Sequence, residues 1–356
     1  MNTHTIALIP GDGIGPEVLH QGLRVLRRAA EVTGGFRLDV REHPWSCAWR
    51  LEHGRMMPAD GIARLADNDA VYLGAIGFPG VPDHVSLGEL LLPIRRQFDQ
   101  YVNLRPIQAL PGVAGPLRDR GPEDLDILCV RENTEGEYAG MGGRLREGTP
   151  DEMAVQTAVF TRRGIERVAR FAFARARERR GAVASATKSN ALQYSAVLWD
   201  EVVAAVAAEH PDVALTAYHV DALAARFVTA PDTLDVVVAS NLFGDILTDL
   251  GGALQGSLGL PASGNINPER RYPSMFEPVH GSAPDIAGAG IANPMAAVWA
   301  GAMMLGHLGE GEAAALVMAA LRHVAAHGPL TADLGGDAST GEVGDAVVAA
   351  VGRVEP

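Results

Sequence analysis

The chain has 356 residues, of which 47% are apolar and 5% aromatic, a composition typical of a soluble α/β protein with room for two domains. Its 43 acidic and 30 basic residues give a net charge of −13, which argues against nucleic acid or an anionic membrane as the main partner. The two cysteines exclude a disulfide framework, and the first residues lack the basic and apolar regions of a secretory leader, so we expect a cytoplasmic protein without a membrane span.

The first part of the chain predicts two buried strands, each followed by a glycine-rich turn. Residues 6–9 form a short apolar strand, and GDGIG leads from it into a helix over residues 16–30. This turn lacks one spacer residue of the G-x-G-x-x-G pattern, so we do not predict a standard Rossmann fold. Residues 71–76 form the second strand, and the helical segment SLGELLLPIRRQFDQY that follows is interrupted at Pro93.

Arginines are concentrated around this helical segment and the strands after it. Arg95 and Arg96 lie on the helix, Arg105 lies in the strand-like NLRPIQAL, and Arg131 follows the apolar run 125–130. Because guanidinium groups bind carboxylates through paired hydrogen bonds, this cluster predicts an acidic substrate. The alternative is a set of solvated helix charges, which we favour for Arg96.

The middle of the chain predicts a polar arm and then alternating helices and strands. RENTEGEYAGMGGRL forms a hairpin or arm, residues 161–180 and 192–209 are helices, and residues 182–186 and 215–220 are strands. Predicted strands end beside Arg131, Lys188, Asp221 and Asn241. Functional residues of α/β folds gather at the carboxyl ends of parallel strands, so we expect a site here.

The stretch DVVVASNLFGDILTDLGGALQGSL, residues 235–258, combines a strand with two aspartates. Residues 236–239 have the apolar β-branched run of a strand that is covered on both faces, and Asn241 or Gly244 can begin a helix. Asp245 and Asp249 then lie on one helix face. Two neighbouring carboxylates favour a cation, and oxygen ligands indicate Mg²⁺ or Mn²⁺, although acidic residues also suit the first turn of any helix.

Lys188 is the only lysine of the chain, beside 29 arginines. A lysine amine can lose its proton when it is buried or lies near a cation, whereas a guanidinium stays charged. Lys188 is therefore a candidate proton acceptor, with the chance survival of a single lysine as the alternative.

The last part of the chain begins with a loop-rich stretch from residue 259 that has five prolines in residues 265–294. Ordered loops of this length are usually functional. Helices are predicted at 295–308 and 313–327, with a further helix near the C-terminus. We expect a discontinuous domain of residues 1–104 and 259–356, with residues 105–258 as an inserted domain.

Six ordered motifs, spread over nearly the whole chain, resemble the decarboxylating β-hydroxyacid dehydrogenases, a family that includes isocitrate, isopropylmalate and tartrate/D-malate dehydrogenases. The motifs are IPGDGIGPE (9–17), NLRP (103–106), RENTEGEY (131–138), ATKSN (186–190), NLFGDILTDL (241–250) and EPVHGSAPDIAGAGIANP (277–294). The resemblance implies an α/β fold of the isopropylmalate dehydrogenase type, with two domains and a mixed parallel and antiparallel sheet.

The resemblance also implies roles for individual residues. The catalytic pair would be Tyr138 and Lys188. The other groups would be substrate-binding Arg95, Arg105 and Arg131, metal-binding Asp221, Asp245 and Asp249, and an NAD loop with His280, Gly281, Ser282, Ala283, Asp285 and Asn293. Asp285 favours NAD because a carboxylate accepts a hydrogen bond from a ribose 2′-hydroxyl and repels a 2′-phosphate. The family implies Mg²⁺ or Mn²⁺, K⁺ as a candidate further cation, and a homodimer with shared active sites.

The residues before Arg95 bear on the choice of substrate. Isocitrate enzymes of the family have serine and asparagine where this chain has Glu89 and Leu91, which disfavours isocitrate. The segments FTRRG, RRQFDQYVN and ASNLFGDIL resemble the tartrate/D-malate enzymes, although a tryptophan can occur there at Gly88 and a small residue at Glu89. We therefore expect D-malate to be converted to pyruvate and CO₂, with tartrate also oxidised.

Three alternatives remain from the sequence. The first is oxidation of 3-isopropylmalate, for which Leu91 and Leu92 would suit an apolar substituent. The second is a catalytically silent regulatory subunit, although such subunits lose site residues that this chain retains. The third, from the aspartates alone, is a Mg²⁺-dependent hydrolase.

Overall fold

The computed structural model describes residues 2–354, which pack as two compact units. Unit 1 comprises residues 2–100, 108–123 and 252–354, and unit 2 comprises residues 101–107 and 124–251. The domain limits expected above stay a prediction, and residues 1, 355 and 356 lie outside the described part of the chain.

Strands and helices are named in chain order. The strands are β1 (Asn2–Gly11), β2 (Phe36–Glu42), β3 (Ala70–Ala75), β4 (Val102–Gln108), β5 (Asp126–Glu132), β6 (Gly136–Leu145), β7 (Met153–Val159), β8 (Ala182–Thr187), β9 (Ala214–His219), β10 (Val236–Ala239), β11 (Ala262–Ile266) and β12 (Ser274–Pro278). The helices are α1 (Gly15–Thr33), α2 (Cys47–His53), α3 (Gly61–Ala66), α4 (Asp83–Ser86), α5 (Leu92–Gln97), α6 (Arg162–Arg177), α7 (Ser195–Ala208), α8 (Val220–Thr229), α9 (Asn241–Leu254), α10 (Met295–Leu308), α11 (Gly311–His327) and α12 (Thr340–Val351). A π-helical turn, Leu87–Leu91, joins α4 to α5.

The strands of unit 1 form a mixed sheet in the order β2-β1-β3-β12-β11. β1 is parallel to β2 and β3, and β12 is parallel to β3 but antiparallel to β11. The predicted α/β class with mixed pairing is confirmed. The loop-rich prediction for residues 259–294 was wrong at β11 and β12, because the prolines nearest to these strands stand at the strand ends, where a missing N–H does not interrupt the ladder.

Alternating residues bury both faces of this sheet. Ile6 and Tyr72 pack on one face against side chains of α1, α10, α11 and α12, and the Tyr72 hydroxyl donates to the backbone oxygen of Ala297 at 2.6 Å. Ile9 packs on the other face in a cluster that includes Trp45. Burying each large apolar side chain completely stabilises the folded state by about 1.5–3 kcal/mol relative to leaving it exposed. These two layers therefore hold the turns beyond the strands in place.

Unit 2 has its strands in the order β4-β5-β10-β8-β9. β10 is parallel to β5 and β8, and β8 is parallel to β9. β10 is buried along its whole length, at the residues predicted for it. β6 and β7 form a separate antiparallel hairpin, and its exposed large apolar side chains are Met141, Leu145, Met153 and Val155. The predicted arm is therefore this hairpin.

Each unit contains one buried free cysteine. Cys47 in unit 1 is 0% exposed, and Cys129 in unit 2 is 2% exposed. Over the described residues, the helices lack the combination of length and apolar character that crossing a bilayer requires.

Candidate active site

Helix α9 has four polar side chains on one face. Asn241, Asp245, Thr248 and Asp249 follow the spacing i, i+4, i+7 and i+8, which places them in one stripe. The helix begins two residues after β10 ends, so this stripe starts at the carboxyl end of a buried parallel strand. That is the edge at which α/β sheets bind ligands.

Arg131 near the end of β5 contacts this stripe. Its Nε and Nη2 donate to Asn241 Oδ1 at 3.0 and 2.8 Å, and its Nη1 donates to the carboxylate of Asp245. The guanidinium can lie across the helix because residue 244 is glycine. A Cβ at Gly244 would stand 2.6 Å from Cγ of Arg131. Arg131 is only 2% exposed, so its charge is held in place by these contacts.

Arg105 in β4 adds a second buried guanidinium to the same face. Its Nη1 donates to Thr248 Oγ1 at 2.7 Å and lies 3.5 Å from Asp249 Oδ1, and its Nη2 lies 3.5 Å from Asp245 Oδ1. Loss of solvation and repulsion from Asp245 raise the pKa of the Asp249 carboxyl, while Arg105 acts in the opposite direction. The two carboxylates thus lie beside two buried guanidinium groups.

Tyr138 reaches the other oxygen of Asp245. The turn between β5 and β6 is closed by the Glu132 carboxylate, which accepts the N–H groups of Thr134 and Glu135 at 2.8 Å each. Gly136 follows with a φ of 72°, and the Tyr138 hydroxyl then donates to Asp245 Oδ2 at 3.0 Å. Burial and the charge of Asp245 raise the pKa of Tyr138, so its hydroxyl is protonated at neutral pH and available as a proton donor.

Lys188 and Asp221 form a separate pair. Lys188 follows β8, Asp221 lies in the first turn of α8, and the amine donates to Asp221 Oδ1 at 2.6 Å. This hydrogen bond lowers the pKa of Asp221. Within residues 2–354 of one chain, no three acidic, histidine or cysteine side chains are grouped so that they could hold a metal ion. The three predicted metal ligands therefore fall into two sets, Asp245 with Asp249 and Asp221 with Lys188.

The third predicted substrate arginine, Arg95, lies in unit 1 with partners of its own. Its Nη2 donates to Glu277 Oε1 at 2.9 Å, and Asn265 Nδ2 donates to the same oxygen at 2.7 Å. Arg95 is 11% exposed at its side chain, and its Nε has no hydrogen-bond partner among the described residues. Arg96 is exposed, in keeping with the solvated position favoured for it.

The predicted cofactor loop of unit 1 packs on the glycine turn after β1. The backbone oxygen of Ser282 accepts the N–H of Ile14 at 2.8 Å, and a Cβ at Gly13 would stand 1.9 Å from that oxygen. His280 Nδ1 lies 3.0 Å from the backbone oxygen of Gly281, while its Nε2 is buried without a partner among residues 2–354. Burial lowers the pKa of His280, so a neutral ring nitrogen remains for a ligand.

The remaining loop residues differ in their surroundings. Asn293 is buried, donates to Asp333 at 3.0 Å and accepts the N–H of Met295 at 2.9 Å, so it fixes the end of the loop to α10. Gly281 and Asp285 are exposed, and Ala283 has a φ of 40°. The loop therefore combines fixed ends with an exposed centre.

Three contributors to these clusters, Thr248, Glu277 and Asn265, were missed by sequence reasoning. Thr248 could have been found from the seven-residue spacing to Asn241 on an amphipathic helix. Glu277 gave no such signal, because its pairing with Arg95 joins residues 182 positions apart in the chain.

Comparisons with known proteins agree with the motifs. The family model described as isocitrate/isopropylmalate dehydrogenase matches residues 5–347. D-malate dehydrogenase [decarboxylating] of Escherichia coli is 54% identical over 98% of each chain, and a probable tartrate dehydrogenase/decarboxylase of Bacillus subtilis is 51% identical over 98% of each chain. An isocitrate dehydrogenase structure from Methylococcus capsulatus superposes with a TM-score of 0.87 at 36% identity, over 98% of this chain and 100% of that one. The predicted fold type and family resemblance are confirmed.

Proposed function

The chain belongs to the isocitrate/isopropylmalate dehydrogenase family and is a decarboxylating dehydrogenase, and from this premise we propose that it oxidises D-malate to pyruvate and CO₂ with NAD and a divalent metal ion. Tartrate is proposed as a second substrate, which the name of the Bacillus subtilis relative supports. The observation that carries the proposal is that Asp245 accepts hydrogen bonds from both Arg131 and Tyr138. This arrangement brings together a guanidinium that can bind a carboxylate, a carboxylate that can bind a metal ion and a phenol that can donate a proton.

The side chains of this chain fit a divalent metal ion and NAD. Asp245 and Asp249 are hard oxygen donors on one helix face. Burial first and the charge of Asp245 second raise the pKa of Asp249, and a bound Mg²⁺ or Mn²⁺ ion would favour its charged form. Asp221 is proposed as a third ligand. His280 has a buried ring nitrogen available for NAD, with the exposed Asp285 proposed to accept from its ribose. When bound, the cation supplies Lewis acidity and NAD supplies a hydride acceptor.

The chain's own residues then bind the substrate and move its protons. Arg105 and Arg131, both buried guanidinium groups, are proposed to bind the substrate carboxylates, with Arg95 as a further carboxylate-binding residue. Lys188 is proposed to accept the proton of the C2 hydroxyl as the C2 hydride leaves. The resulting β-keto acid loses CO₂ from C3, and Tyr138 donates its phenolic proton to that carbon.

We further propose a homodimer in which each site is shared. One subunit would contribute Lys188 and Asp221, and the other would contribute Tyr138, Asp245 and Asp249. The pairing of Lys188 with Asp221 and of Tyr138 with Asp245 within the chain supports this division into two sets.

A substrate panel tests the proposal. D-malate, L-malate, the tartrates, 3-isopropylmalate and isocitrate are assayed for NADH formation with Mn²⁺ and either NAD⁺ or NADP⁺. D-malate with NAD⁺ should give the highest or nearly the highest kcat/KM. A value for 3-isopropylmalate about tenfold above that for D-malate, equal to about 1.4 kcal/mol of transition-state binding, would replace the proposed substrate.

A further inference from the structure

Glu89, which departs from the pattern of the tartrate/D-malate enzymes, has a defined set of partners. Arg50 Nε donates to Glu89 Oε2 at 3.0 Å, and Arg50 Nη2 donates to Glu89 Oε1 at 3.2 Å. The backbone N–H of Met56 donates to Glu89 Oε2 at 3.2 Å. Two parallel N–H···O bonds from one guanidinium fix the orientation of the carboxylate and balance its charge. The Glu89 carboxylate is therefore neutralised and oriented by the α2 region.

Arg50 is itself attached to a rigid part of unit 1. Helix α2 begins at Cys47, whose N–H donates to the two carboxylate oxygens of Asp12 at 3.0 and 3.1 Å. Asp12 also accepts the N–H of Gly77 at 3.1 Å and is only 4% exposed. The residue that pairs with Glu89 is thus anchored through α2 to the glycine turn after β1.

The segment that carries Glu89 is held both by buried apolar side chains, Leu90 and Leu91, and by the ion pair of Glu89 with Arg50. Leu87–Leu91 is a π-helical turn, in which the N–H of Leu92 donates to the oxygen of Leu87, and Pro93 then removes a backbone donor from the next turn. At Gly88 even an added Cβ would meet no atom within 4 Å, so this position does not hold the turn. The same helix continues without a break into α5 and Arg95.

We propose that Glu89 is a positioning residue: its ion pair with Arg50 fixes the turn that leads into Arg95 and so determines which substituent at C3 of the substrate the enzyme accepts. This inference rests on the proposed function, in which Arg95 binds a substrate carboxylate. It also explains how an acidic residue is tolerated before that arginine, since a carboxylate paired with Arg50 adds no unpaired negative charge toward a dicarboxylate.

The test uses four variants of the full-length enzyme. Arg50→Met keeps most of the stem and removes the charge, and Glu89→Gln keeps an acceptor for Met56 but removes the ion pair. Arg50→Glu combined with Glu89→Arg reverses the pair. Arg64→Met breaks the exposed pair with Asp60, at 2.9 Å on α3, and serves as the matched control.

Arg50→Met should raise KM for D-malate about tenfold while kcat changes much less, because a displaced Arg95 would bind the substrate more weakly in the ground state and the transition state alike. It should also change the ratio of kcat/KM for D-malate to that for 3-isopropylmalate, and speed amide exchange in a peptide covering residues 86–97. Glu89→Gln should have a smaller effect in the same direction. The reversed pair should recover part of the lost selectivity, and Arg64→Met should change none of these quantities.

The outcomes separate this inference from the proposed function. If wild type oxidises D-malate but KM, selectivity and amide exchange are unchanged in Arg50→Met, the inference about Glu89 is wrong and the proposed function stands. A fall in thermal stability with no change in selectivity assigns the pair a merely structural role and also overturns it. If wild type prefers another 2-hydroxy acid, the proposed substrate is wrong and the variants are compared on that acid. If wild type oxidises none of these acids, the proposed function is wrong. Faster amide exchange of residues 86–97 in Arg50→Met then supports the positioning role of Glu89, and unchanged exchange overturns it.

Discussion

Replacement of Gly244 by alanine should disturb the site without removing any of its functional groups. The new Cβ would stand 2.6 Å from Cγ and 2.7 Å from Cβ of Arg131, far inside normal carbon contact distances. The Cβ of Arg131 is fixed, because its backbone belongs to β5 and pairs in register with Ala239 of β10, so the contact with Cγ can be relieved only by rotating the side chain beyond Cβ. The guanidinium must therefore leave Asn241 and Asp245. We expect overpacking to destabilise the fold by about 1–3 kcal/mol.

Activity should fall further than stability does. Displacing a substrate-binding guanidinium by an ångström or so should lower kcat/KM for D-malate by about 10²-fold. Gly341→Ala is the matched control, since it also lies in a helix and its added Cβ would meet nothing closer than 3.9 Å. Steady-state kinetics and chemical denaturation measure the two effects. If Gly244→Ala keeps kcat/KM within about threefold of wild type, less than 1 kcal/mol, the close packing of Arg131 on this helix has no functional role.

Three further predictions concern other residues. Lys188→Arg should nearly abolish NADH formation while circular dichroism stays unchanged, because arginine can keep the ion pair with Asp221 but cannot serve as the proton acceptor. A kcat of about a tenth of the wild-type value or more would contradict this role. Inactive Tyr138→Phe and Lys188→Ala subunits, mixed under exchanging conditions, should recover roughly a quarter of wild-type activity, half the dimers times half their sites. No recovery, with exchange confirmed by mass spectrometry, would refute shared sites. Burial lowers the pKa of His307 from 6.5 to about 4, so the stability that its neutral form contributes is present above pH 6.5 and is lost as pH falls toward 4. His307→Gln should reduce the loss of unfolding free energy over this range by about 1–3 kcal/mol, and an unchanged loss in denaturant titrations would contradict the buried neutral state.

Local sequence patterns were sufficient where a single element determines the geometry. The apolar β-branched run at residues 236–239 became β10 at the same bounds, because burial on both faces requires that pattern. The four-residue spacing of Asp245 and Asp249 placed both on one helix face, and both are joined there by Arg105. These inferences need only the period of a helix and the direction of a strand.

Patterns could not supply contacts between distant segments. β11 and β12 lie in a stretch rich in proline and glycine, and their strand character depends on pairing with each other and with β3. The ion pair of Arg50 with Glu89 joins two separate helices, so neither residue indicates its partner by spacing. The widened turn at Leu87–Leu91 likewise has no simple compositional signal beyond the nearby Pro93.

The two cysteines allow the unfolding of each unit to be followed through the reactivity of its own thiol. Burial, with a hydrogen bond to Asp12, raises the pKa of the Cys47 thiol to about 12, and burial raises the pKa of the Cys129 thiol to about 12. Thiol reagents attack the thiolate, so both residues should resist alkylation as long as their surroundings stay folded. Because unit 1 contains only Cys47 and unit 2 only Cys129, pulsed alkylation followed by peptide mass spectrometry would time the opening of each unit separately, without any introduced label.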